Sequence, residues 1–126
     1  MAHTDVGIEH VIGCHISTIL QQETDKSKFS FDVGMNSGFF TLVAAALGTP
    51  VRSFDPQPAC HALMAKAIET NGFTKVMVGL GDGGRAEAAA VMRMHVSACN
   101  GGYSWPDAWG KGMATVVEVP MRRLDQ

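Results

Sequence analysis

The chain has 126 residues, 46% of them apolar, and a formal net charge of -2, which bounds it to a single domain able to bury about two-thirds of its unfolded surface. A mildly acidic chain lacks the basic face that a nucleic-acid partner requires, and no apolar run approaches the ~20 residues of a membrane span. The first residues carry acids and histidines rather than a basic and then apolar leader, so the expected location is the cytoplasm.

Residues 1–28 read as one leading helix and a polar connection. Ile8, Val11, Ile12, Ile16, Ile19 and Leu20 recur at three- and four-residue steps, although Gly13 interrupts the run. His10 and His15 with Glu9 do not have the i, i+4 spacing of a helical metal pair, so no metal site is expected. Cys14, Cys60 and Cys99 are odd in number and far apart, which reads as three reduced thiols rather than a disulfide framework.

Residues 29–33 are a short, partly alternating strand with Asp32 near its end. Gly34 and Gly38 bracket a tight turn. Residues 39–47 are apolar on nearly every face and so predict a buried helix, with Gly48 suited to the position just past its end. Residues 51–55 make a second strand, stopped by Pro56. Two strands joined by one helix over so short a span are parallel neighbours with a right-handed crossover. That is half of a nucleotide-binding α/β unit.

Such a unit places specific atoms at the carboxyl ends of its strands. Glycines at 34 and 38 allow close approach to the backbone, and the start of the next helix offers unpaired N–H groups. Asp55 follows Gly38 at roughly the 20-residue offset at which an acid takes the hydroxyls of a ribose. Asn36 stands where a dinucleotide fingerprint has its middle glycine, which disfavours NAD or FAD and suits a ligand without phosphates, such as S-adenosylmethionine. The plainer alternative is that the glycines only make the turn.

Further along, Pro58 suits the first turn of a helix, Cys60, Leu63, Met64, Ala67 and Ile68 give its apolar stripe, and Asn71-Gly72 its end. Residues 75–78 are a third strand and 79–84 a glycine-dense turn. Residues 85–97 are helical by propensity but alternate apolar and polar positions as a strand does; strand is chosen. Residues 100–112 read as a loop bearing Trp105 and Trp109, either a surface loop or a lid, and 115–119 as a strand before a polar tail.

Asp32-Val-Gly-Met-Asn-Ser-Gly-Phe-Phe-Thr-Leu42 and Phe54-Asp-Pro-Gln-Pro58, followed by Asn71-Gly72, Gly79-Leu-Gly-Asp82, Asn100-Gly-Gly102 and Val119-Pro-Met-Arg-Arg-Leu-Asp125, resemble the FkbM family of S-adenosylmethionine-dependent methyltransferases. The resemblance implies a Rossmann-like class I methyltransferase fold, truncated here to parallel strands in the order 3-2-1 plus a C-terminal β-hairpin, within one partial domain spanning 1–126. It implies S-adenosylmethionine as cofactor and O-methyl transfer to a small-molecule or sugar-type acceptor. Asp32 would lie near the methionine amino group, Gly34, Asn36 and Gly38 along the methionine and ribose, and Asp55 on the ribose. The backbone around Leu80 would meet the adenine, and Asp82 would either reach the adenine or stabilise its own turn. No residue is assigned as general base.

In that family the sheet continues beyond the point where this sequence ends, so the edge of the first strand is expected to be open, to be covered by a second copy or by the C-terminal strand, or to be that of a truncated remnant, the second copy being favoured. Two alternatives remain beside this reading. One is a catalytically incomplete half-domain that binds S-adenosylmethionine or acts structurally. The other is a nicotinamide-dependent oxidoreductase.

Overall fold

The structure, a computed structural model, describes residues 7–25, 27–79, 91–96, 99, 105–106 and 115–120. Its elements run α1 (Ile8–Gln22), β1 (Ser30–Val33), α2 (Phe39–Ala46), β2 (Val51–Phe54), α3 (Pro58–Asn71), β3 (Val76–Gly79), β4 (Val91–Val96), β5 (Trp105–Pro106) and β6 (Thr115–Pro120). The fold is α/β. Strands β1, β2 and β3 form a parallel sheet in that order, and β5, β4 and β6 a separate antiparallel sheet. None of the described helices is long and apolar enough to cross a membrane.

The parallel half forms as its sequence dictates. Gly38 caps α2 at φ 89, Gly48 follows it at φ 77, and Gly72 ends α3 at φ 66. Each is a left-handed conformation that glycine adopts without steric cost. Pro58 opens α3, where its missing N–H costs nothing. Register pairs Asp32 with Ser53 and Ser53 in turn with Val78, and Phe31 with Arg52 and Arg52 in turn with Met77.

Both crossover helices lie on one face of this sheet. Thr41 of α2 bonds Asp32 and Ser53, and Met64 of α3 packs with Met35 and Cys60 against Leu42, Ala67, Ile68 and Val78, which is that same face. Successive right-handed crossovers in one direction require this arrangement. The opposite face carries Phe31, Val33 and Met77, all exposed, with the Phe31 and Phe54 rings stacked at 6.4 Å. Phe29 falls just outside β1, its ring 4.8 Å from the Arg52 guanidinium carbon.

Several expectations need correction. Helix α2 buries only Thr41 and Ala44 fully, while Phe39 is exposed; with the sheet on one side and α1 on another, its outer flank stays open. Leu63 is exposed rather than part of the buried stripe of α3. Gly13 does not interrupt α1, which runs through it. It is buried, and a Cβ there would come within 2.9 Å of the Phe39 ring, so the glycine lets the two helices approach. Residues 91–96 are a strand, as the alternation indicated, because antiparallel pairing with β6 from Val91↔Pro120 to Val96↔Thr115 overrides helical propensity. Trp105 belongs to no loop: β5 pairs with β4 through His95↔Trp105, so the expected hairpin is a three-stranded sheet. Trp109, residues 80–90 and the tail lie outside the described residues.

Candidate functional site

The carboxyl ends of β1 and β2 are knitted together by the turn at residues 34–38. Gly34, at φ 81, lets the chain reverse so that its N–H and that of Met35 both donate to the Phe54 carbonyl, at 2.8 and 3.0 Å. Asn36, the one described non-glycine residue with positive φ (53), donates its N–H to Asp55 Oδ2 at 2.9 Å. Asparagine tolerates that conformation better than most residues. Gly38 N–H then returns to Met35 O at 2.7 Å and starts α2. Three consecutive amides of the first turn thus point at the end of the second strand.

Asp55 anchors the other side. Its Oδ1 accepts the Gln57 N–H at 2.8 Å, and its own carbonyl accepts the His61 Nε2 proton at 2.5 Å, which fixes the His61 tautomer with hydrogen on Nε2. The Asp55 side chain is 5% exposed. An ionised carboxylate has about four acceptor positions; two are taken by amides, one on each oxygen. The remaining capacity matches two adjacent hydroxyls.

The glycines divide their labour. A Cβ at Gly34 would meet no described residue within 4 Å, so among the described residues nothing crowds that backbone; a Cβ at Gly38 would collide with the end of the Met64 side chain. Gly38 therefore serves packing and the helix start rather than ligand approach. Beneath the turn, Thr41 Oγ1 donates to Asp32 Oδ2 at 2.6 Å and stands 2.6 Å from Ser53 Oγ. One hydroxyl has one proton, so Ser53 donates to Thr41 and Thr41 to Asp32. Thr41 and Ser53 are buried; their signal in the sequence is a hydroxyl within an otherwise apolar helix and another within a strand. Gln57, buried at the start of α3 with its Oε1 unpartnered, was also not singled out.

Asp32, Gly34, Asn36, Gly38 and Asp55 are thus brought to one end of the sheet. Leu80 and Asp82 lie outside the described residues, although Gly79, paired with Phe54, brings the chain to the same end. Surface depressions of about 180 Å³, by Gly48 and Gly72, and about 410 Å³, by His10, Cys14 and Phe39, lie elsewhere. Among the described residues no three His, Cys, Asp or Glu side chains gather as a metal site would require.

The cysteines depart from the sequence reading. Cys60 and Cys99 are joined in a disulfide with Cα atoms 4.8 Å apart, and only Cys14 is free. Their separation of 39 residues concealed the pairing; the first turn of α3 faces Met35, where the chain after β4 arrives. No protein-family model matches this sequence, and no similar curated protein or solved structure was found.

Proposed function

We propose that residues 29–79 form the adenosyl-binding part of an FkbM-type, S-adenosylmethionine-dependent methyltransferase domain of the Rossmann-like class I architecture, directed at oxygen on a small or sugar-type acceptor. The observation that carries this reading is Asp55: a carboxylate at the end of β2, oriented by two backbone amides and adjoining the open Gly34 backbone, with acceptor capacity left for a ribose diol. In such sheltered surroundings charged hydrogen bonds are strong, about 1.5–3 kcal/mol each. Asp32 supplies a second carboxylate at the same end, with one oxygen held by Thr41 and the other suited to an ammonium group.

When bound, S-adenosylmethionine supplies an electrophilic methyl group; the protein's part is positioning and electrostatics. Asp55 orients the ribose, the Gly34 backbone admits the ligand, and Asn36 holds the turn in register. The same reading carries the cytoplasmic location and a second copy of the chain covering the open β1 edge.

A second reading, a binding or structural half-domain without catalysis, is favoured by one observation: Asp32, Asp55 and His61 all have structural partners at this end of the sheet. A nicotinamide oxidoreductase is disfavoured by Asn36, which stands in the sequence where the dinucleotide fingerprint has its middle glycine. Thermal melting with each ligand separates adenosyl binding, nicotinamide binding and a purely structural module. At 100 times its Kd, S-adenosylhomocysteine should stabilise the fold by about 2.7 kcal/mol while NAD shifts nothing. Stabilisation by NAD alone favours the oxidoreductase, and stabilisation by neither favours a structural module.

A further inference from the structure

The Cys60–Cys99 bond lies directly behind the turn just described. Asn36 Oδ1 is 4.0 Å from Cys60 Sγ and 3.8 Å from Cys99 Sγ, and the Asn36 N–H is the one that Asp55 holds. Cys60 is the third residue of α3 and fully buried; Cys99, three residues beyond β4, is half-buried. The bond therefore ties the helix under the candidate site to the chain leaving the antiparallel sheet.

We propose that this disulfide is a reversible redox latch. Oxidised, it pins Cys99 to α3 and leaves Asn36 Oδ1 facing two sulfurs that carry no proton. Reduced, it frees Cys99 from α3 and turns both sulfurs into S–H donors toward Asn36. The proposal stands on the cysteine geometry and does not depend on the adenosyl reading.

The exchange chemistry follows from the asymmetry of the pair. An incoming thiolate from a dithiol reductant reaches the more accessible Cys99 sulfur and forms a mixed disulfide there, while the S–S electron pair leaves on Cys60. Cys60, in the first turn of α3 and fully buried, is the sulfur that the reductant cannot reach, so it is the one that leaves. The reductant's second thiolate then attacks its own mixed-disulfide sulfur and releases Cys99 as a thiolate. The two protons of the reductant end on the two cysteines, and the reductant leaves as a disulfide. Oxidised glutathione, or another small disulfide, reverses the sequence. In a reducing compartment a bond of this kind is transient and sensing rather than permanent. Cys14, free and exposed on α1, serves as an internal control.

The test uses the full chain, oxidised with glutathione disulfide and then equilibrated across reduced-to-oxidised glutathione ratios. It is quenched with acid and labelled with a maleimide under denaturing conditions for intact mass. The oxidised protein should take one label and the reduced protein three, with the last two appearing together. Hydrogen exchange on the same samples should show the Asn36 amide and residues 91–96 opening roughly tenfold faster or more after reduction. In Cys60→Ser, glutathione should be captured by Cys99 at least about tenfold faster than by Cys60 in Cys99→Ser. Three labels after oxidation would overturn the bond itself. A bond that survives excess dithiothreitol in the native protein, or exchange rates that do not change on reduction, would overturn the latch. The wild-type labelling and exchange decide these outcomes even if either variant fails to fold.

Discussion

Gly34 and Gly38 share a left-handed backbone yet meet different surroundings, and that difference is measurable. Gly38→Ala adds a clash with Met64 to the cost of positive φ, and should destabilise by about 2–4 kcal/mol. Gly34→Ala meets open space and should cost only about 1–2 kcal/mol. Denaturant melts of the two variants check the order; equal losses would show that backbone conformation alone matters. Thr41→Val removes the middle of the Ser53–Thr41–Asp32 relay and strands two polar groups at a buried site, which should cost about 1–3 kcal/mol, with Thr41→Ser restoring most of it. At this scale the sequence showed that Asp32, Gly34, Asn36, Gly38 and Asp55 would gather, because glycine turns and strand-end acids act through local geometry. It did not show what each touches. Whether Gly38 faces a ligand or Met64 depends on a residue in the next helix, and Asp55's two amide bonds depend on both turns closing around it.

Among the elements, the run from β1 to β3 was legible because each boundary carries its own signal: Gly48, Pro58 and Gly72 sit where helices start or stop. The alternation in residues 91–96 outweighed their helical propensity, and β6 supplies the pairing that explains why. Two features were not legible, since both are contacts between distant elements. Gly13 looked like a flaw in α1 and is the point where α1 meets Phe39. Gly13→Ala should therefore be nearly neutral, its gain in helix propensity of about 1 kcal/mol offset by crowding at Phe39. In a Phe39→Ala background the same change should stabilise, and a double-mutant cycle reads the difference. The disulfide was the second such feature. Closing a loop of 39 residues should stabilise the oxidised chain by as much as about 4 kcal/mol in the chain-entropy account. Reduction should lower Tm by on the order of 10 °C, a shift absent from Cys99→Ser with or without reductant.

Across the described residues, the crossover helices cover one face of the parallel sheet, and Phe31, Val33 and Met77 on the other are exposed. Phe31 is 53% and Val33 63% exposed, and β1 pairs with β2 alone among the described strands. An apolar face beside an open strand edge favours self-association. With a second copy on that edge, sedimentation equilibrium should give a dimer for the wild type and a monomer for Val33→Lys; a wild-type monomer at high concentration would rule the pairing out. The central claim concerns the carboxyl end of the same sheet, where the turn after β1 and the acid after β2 form one unit. The most direct measurement is calorimetric titration of S-adenosylhomocysteine into the wild type and into Asp55→Asn, with melting curves establishing that both are folded. Micromolar binding that weakens about 30- to 150-fold in the variant, a loss of roughly 2–3 kcal/mol, is the predicted result. No heat of binding to a folded wild-type protein, or equal affinity in a folded Asp55→Asn, would contradict it.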